Sequence, residues 1–259
     1  FPSGCGSSPF IQNLNFVSEI EISDLCPSEL ASSSCESYFT NTATGGIFPG
    51  VTQVVYSGVV TLPAGCTWKV VWNENNWNYF NNINFSTYPA AYIYAEINTN
   101  VCSNSADITS LGAPYECIGQ GVITYQVTTA NTSGAVLTYA LETPQTTGAS
   151  AGLNVNVPGY AAIPGLSISP SGLLSLNTNG LTAGFYTVNF LVEMTIGGIS
   201  QGKVHHSMTF LMRDCTTTTT DFNSPEIQSA DFGIIETNPI LTPPTKKIIT
   251  TPIQRQAII

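Results

Sequence analysis

Few side chains in this sequence have reactive chemistry, and their spacing limits what they could do. Gly148-Ala149-Ser150-Ala151-Gly152 fits the G-x-S-x-G pattern of a nucleophilic serine. That pattern works where a strand turns sharply into a helix, with an acid and then a histidine following along the chain. Here it lies in a Thr/Gly-rich loop with no helix downstream and no Asp between Ser150 and the histidines, so it reads as chance among small residues. His205 and His206 are adjacent in a stretch of strand character, which points them to opposite faces and prevents them from sharing a metal ion. His206 falls with the apolar set as a hydrogen-bonded core residue, and His205 faces water. Glycoside hydrolysis needs two carboxylates converging across a sugar. The acidic residues are scattered singly instead, and Glu19 and Glu21, on one face of a strand, lack a cleft signature. The expectation is a chain without catalytic residues, cofactor or metal.

Trp68, Trp72, Trp77, Tyr79 and Phe80 form an aromatic concentration. Trp68 and Trp72 are four apart and share one face of a strand. Core packing is one reading of this cluster. A carbohydrate platform is the other: aromatic rings cover the C–H faces of sugars, and the Asn-rich stretch 73–84 supplies hydrogen-bonding groups. The platform would consist of Trp68, Trp72, Trp77 and Tyr79.

Seven cysteines are present, at 5, 26, 35, 66, 102, 117 and 215. None forms a close C-x-x-C pair, so zinc is a poor fit. Local disulfides Cys26–Cys35 and Cys102–Cys117 would each close a turn-rich segment, as suits a compartment outside the reducing cytosol. The odd count leaves at least one cysteine unpaired or bonded to sequence beyond this stretch.

The elements that must position these groups are strands. Charged residues make up 8% of the 259-residue chain, against roughly 25% in an average soluble protein. That deficit disfavours surface helices, while the abundant Thr, Ser, Asn, Gly and Pro suit strands and turns. Six basic against sixteen acidic residues give a net charge of −10, which excludes a nucleic-acid surface and disfavours anionic membranes. No apolar run approaches the ~18–20 residues needed to span a bilayer, and Phe1–Ser8 lacks the features of an export leader.

Alternation with period 2 is clearest over 184–196, where Tyr186, Val188, Phe190, Val192, Met194 and Ile196 share a face. It resumes after Gly197-Gly198 with Val204, His206, Met208, Phe210 and Met212, which predicts a β-hairpin. Further strands are expected over 10–22, 53–62, 67–72, 90–97, 122–128, 135–141 and 172–176. The predicted fold is all-β: tandem β-sandwich domains, the second immunoglobulin-like or cadherin-like, followed by an extended tail. A β-rich unit occupies 1–115, an immunoglobulin-like sandwich 116–215, and a Thr/Pro-rich linker 216–259. The apolar end of that tail, Lys246 to Ile259, could add a strand to another domain's edge.

A set of phrases occurs in order: "LCPSEL" and "SSSCES" within 25–37, "GGIFPGVTQVVYSGVVTLPAGCTWKVVW" at 45–72, "YIYAEINTNVCSNSADI" at 92–108 and "PYECIGQGVITY" at 114–125. "LTYALETP" at 137–144, "SISPSGLLSL" at 167–176 and "GFYTVNFLVEM" at 184–194 follow. Over residues ~1–215 the chain resembles the large tandem-domain surface proteins of Bacteroidota exported by type IX secretion, of the gliding-motility adhesin type. The resemblance implies a secreted, cell-surface piece of a longer protein acting as spacer and contact module. Its partners would be neighbouring domains of the same polypeptide, the type IX secretion machinery and surface polysaccharide. Two departures stand out. The Cys-Cys-Arg-Asn cluster that usually follows "GCTW" is missing, which removes the usual partner of Cys66. The acidic loop that usually precedes "LTY" is replaced by Ala130 to Ala135, which has no carboxylate for calcium.

Overall fold

The computed structural model describes residues 11–21, 51–74, 80–84, 90–101, 105–109, 113–130, 134–148, 154–215 and 253–258. Among these there are strands and turns but no helix, in keeping with the scarcity of charged helix formers. The long strands in chain order are β1 (Asn15–Glu21), β2 (Val51–Ser57), β3 (Thr67–Glu74) and β4 (Ala91–Asn98). Then come β5 (Asp107–Ile108), β6 (Tyr115–Cys117), β7 (Val122–Gln126), β8 (Thr129–Ala130) and β9 (Val136–Glu142). β10 (Gln145–Thr147), β11 (Asn154–Asn156), β12 (Ser167–Ile168) and β13 (Leu173–Asn177) are short. β14 (Gly184–Ile196), β15 (Ile199–Arg213) and β16 (Ile253–Ile258) complete the order.

The β14–β15 hairpin is the spine. Gly197 and Gly198 both have positive φ, at 57° and 80°, the backbone shape that joins two twisted strands without splaying them. The register pairs Tyr186 with Phe210, Val188 with Met208 and Phe190 with His206. This puts the expected apolar set on one face. A three-stranded sheet in the order β12–β13–β7 contributes Leu174 and Leu176 to the same core, joined by Val127 and Ile163. Two sheets therefore meet face to face over a fully buried centre of Val188, Phe210 and Leu174.

The spine also recruits strands from early in the chain. The sheet runs β3–β4–β15–β14–β9, and β6 pairs in parallel with the C-terminal end of β15. β4 joins through Ile97 opposite Gly202 and Ala95 opposite Val204. Gly202 is needed there, because a Cβ would collide with the Glu96 carbonyl oxygen. The sheet thus contains strands from both before and after the interval 112–121, where the sequence suggested a domain boundary.

On the opposite face of the spine, Phe185 and Leu211 pack with Val51, Phe80, Ile83, Ala113 and Val157. Val51 belongs to β2, the middle strand of a separate sheet ordered β1–β2–β16. β16 comes from the tail and pairs antiparallel with β2, from Ile253 opposite Tyr56 to Ile258 opposite Val51. The tail's apolar end does add a strand to a sheet edge, and that edge is in its own chain.

Candidate functional site

The aromatic stretch divides on folding. Trp68 is 4% exposed and its Nε1 donates to the Pro63 carbonyl at 3.0 Å, so it closes the turn before β3. Phe80 is buried with Ile83 and Phe185. The expected platform therefore loses Trp68, and Phe80 is core. Trp77 and Tyr79 lie outside the described residues. Trp72 is half-buried, with its ring 5.8 Å from Tyr56 at a 32° tilt. Tyr56 in turn meets Phe16 edge-on at 6.0 Å, and Phe16 is 59% exposed. Three rings from β1, β2 and β3 make an aromatic row. Phe16 and Tyr56 were missed because they are far from Trp72 in sequence; β1–β2 register pairs the first two, and Tyr56 meets Trp72 from a separate sheet.

Of the described asparagines in this stretch, Asn82 turns inward, while Asn73, Asn81 and Asn84 are exposed. β9 pairs with β14 only from Asn189 to Thr195, which leaves the backbone of Thr187 without a strand on that side. Asn82 fills the gap: its Nδ2 donates to Thr187 O at 2.8 Å, and its Oδ1 accepts from Thr187 N at 3.0 Å. Asn81 N–H donates to Phe185 O at 2.7 Å, and its Nδ2 donates to the Ala183 carbonyl. Asn73 Oδ1 accepts from the Thr147 hydroxyl. Asn81 and Asn82 thus extend the sheet.

The cysteines also pair differently. Cys117 is bonded to Cys215, with a Cα–Cα distance of 5.5 Å and a sequence separation of 98. This replaces the expected Cys102–Cys117 bridge. The cause is topological: β6 lies beside the end of β15 with Cys117 opposite Arg213, two residues from Cys215. Cys66 is disulfide-bonded as well, to a partner that is not among the described residues. Cys26, Cys35 and Cys102 lie outside the described residues.

The densest titratable cluster surrounds His205. Its side chain is 1% exposed, which corrects the water-facing expectation. Recruitment of β4 to the edge of β15 brings Tyr94 over the imidazole, with the rings parallel within 2° and 5.1 Å apart. Lys69 Nζ sits 4.1 Å from the centroid of the Tyr94 ring and 3.6 Å from Glu96 Oε1. Tyr94 donates its hydroxyl to Glu142 Oε1 at 3.3 Å, and Glu142 Oε2 is 3.6 Å from His205 Nε2.

Burial, helped by the nearby His206 and Lys69, lowers the His205 pKa to about 3. Burial also raises Glu142, partly offset by its bond from Tyr94, and lowers His206 to about 4. His206 lies on the apolar face as expected, 5.2 Å from the Phe190 ring. At neutral pH the cluster holds an uncharged imidazole and a phenol beside the Glu142 carboxyl group.

No activated nucleophile accompanies it among the described residues. The Thr187 and Ser207 hydroxyls bond to one another at 3.1 Å, and Ser150 lies outside the described residues. No group of three or more His, Cys, Asp or Glu is placed to hold a metal ion among the described residues. Neither His205 nitrogen nor Asn189 Oδ1 has a hydrogen-bond partner among the described residues. The chain matches no family model, no curated protein and no solved structure.

Proposed function

We propose that the chain is a non-enzymatic structural and adhesive module of a long, secreted cell-surface protein. It would be of the gliding-motility adhesin type, exported by type IX secretion and built from tandem immunoglobulin-like or cadherin-like sandwiches. The observation that carries the reading is the use made of its chemistry. Cys117 and Cys215 staple strands together, Asn81 and Asn82 extend a sheet, and the His205 group is packed inside. Such a module holds its shape and presents surface to neighbouring domains and to external polysaccharide. Antibody raised against residues 122–213 tests this. Labelling of intact source cells, with impaired attachment or gliding when the antibody is added, supports the reading. Labelling only after cell lysis overturns it.

The Phe16–Tyr56–Trp72 row favours a second reading, a carbohydrate-binding module. Three rings at about 6 Å intervals, from β1 and β2 of one sheet and β3 of another, would offer apolar surface to a sugar. Saturable binding on a glycan array that is lost in Trp72→Ala supports this reading. Equal binding by the variant removes it.

A further inference from the structure

We infer that the Cys117–Cys215 bond is a force shunt, which makes the segment between the two cysteines inextensible when the chain is pulled from its ends. The inference rests on the spacer reading for its purpose, and on geometry for its substance. A separation of 98 leaves 97 residues between the cysteines, and these include β7 through β15. Tension arriving through residues 113–117 passes across the sulfur–sulfur bond and leaves from Cys215. It never enters the loop the bond closes. β7 through β15 stay out of the covalent load path, whereas β3 and β4, which precede Cys117, lie on it.

Strand direction reinforces this arrangement. β6 and the end of β15 run parallel, pairing Leu211 with Tyr115, Met212 with Glu116 and Arg213 with Cys117. Leu211 N donates to Pro114 O at 2.9 Å and Ile118 N to Arg213 O at 2.8 Å, which closes both ends of the ladder. Pulling on the chain before residue 115 and after residue 215 slides two parallel strands past each other. All the ladder bonds are then loaded together, whereas end-on peeling breaks them one at a time. The bond sits at the end where the load leaves, so it carries the force the ladder would otherwise bear.

The length at stake is large enough to read directly. At about 3.6 Å per residue, the closed loop hides roughly 350 Å of contour. Single-molecule force spectroscopy on the full chain, held between two handle domains of known unfolding length, measures it. Without reductant, the fully extended chain is expected to stop roughly 350 Å short of the length reached by the Cys117→Ser/Cys215→Ser variant, whatever steps the residues before Cys117 give. With dithiothreitol present, one thiolate attacks Cys117 or Cys215 and forms a mixed disulfide. The second thiol of the reagent then closes its ring, leaving two cysteine thiols and oxidised reagent.

A step of roughly 350 Å should follow that event. The Cys117→Ser/Cys215→Ser variant should release the same length with no reductant, and does so even if the loop is unfolded from the start. An oxidised wild-type chain that extends as far as the double variant overturns the inference. So does a record that dithiothreitol leaves unchanged. Extension is read whether or not the chain adheres to anything, so failure here is distinct from failure of the adhesive reading.

Discussion

Replacing Asn82 with alanine removes two buried hydrogen bonds at one stroke. Asn82 is 5% exposed and Thr187 is fully buried, so water cannot take over as partner. The 2.8 Å bond to Thr187 O and the 3.0 Å bond from Thr187 N both disappear. Each orphaned buried backbone group costs about 1–3 kcal/mol, and the two are coupled through one side chain, so a loss of about 2–4 kcal/mol is expected. In a domain of this size that corresponds to a melting temperature lower by roughly 4–16 °C. Asn82→Asp sharpens the test. It keeps the acceptor for Thr187 N–H but turns a carboxylate towards the Thr187 carbonyl, so at neutral pH it should destabilise at least as much as alanine. Asn100→Ala is the control: Asn100 is exposed and bonds locally to Asn98, so its loss should stay within about 0.5 kcal/mol. Urea titration followed by tryptophan fluorescence gives all three values. An Asn82→Ala change within about 0.5 kcal/mol of wild type would refute the claim that this asparagine substitutes for a strand.

Trp68→Ala should cost about 3–5 kcal/mol, and Trp72→Ala clearly less, because only the first is buried; equal losses in thermal unfolding would contradict this placement. The His205 pKa is depressed, so the unfolded chain binds a proton that the native one does not. Its stabilising contribution is complete above about pH 6.5 and is lost as pH falls towards about 3, by about 1.4 kcal/mol per pH unit in between. Glu142, raised by burial, contributes in the opposite sense. His205→Phe keeps a ring against Tyr94 and should flatten the acid limb of a stability-versus-pH curve; an unchanged slope would count against it. Gly202→Ala should loosen the β4–β15 junction, costing about 1–3 kcal/mol and speeding amide exchange at Ala95 to Ile97; unaltered exchange there would show that close approach is not needed.

Where a strand is long and half-buried, its period shows in the sequence. The β14–β15 hairpin, its Gly-Gly turn and the inward set from Tyr186 to Met212 follow from alternation alone. Strands of two or three residues, such as β5, β6 and β8, are too short to carry a period. The disulfide depended on β6, so the sequence suggested a nearer cysteine pair. His205 looked solvent-facing because its neighbours in sequence alternate correctly; the layer that covers it comes from Tyr94, over a hundred residues earlier. Asn82 illustrates the same limit. Nothing in an Asn-rich stretch distinguishes a side chain that bonds a sugar from one that bonds a strand, until the missing length of β9 is known.

The central claim is that this chain works as one module of a long surface protein. Its most direct test is the mass of the native polypeptide in its source cells, by denaturing electrophoresis and immunoblotting against residues 122–213. The account predicts a surface-exposed band far above the 27.5 kDa of this sequence. A band near 27.5 kDa would contradict it and leave ligand binding at the Phe16–Tyr56–Trp72 row as the function to pursue.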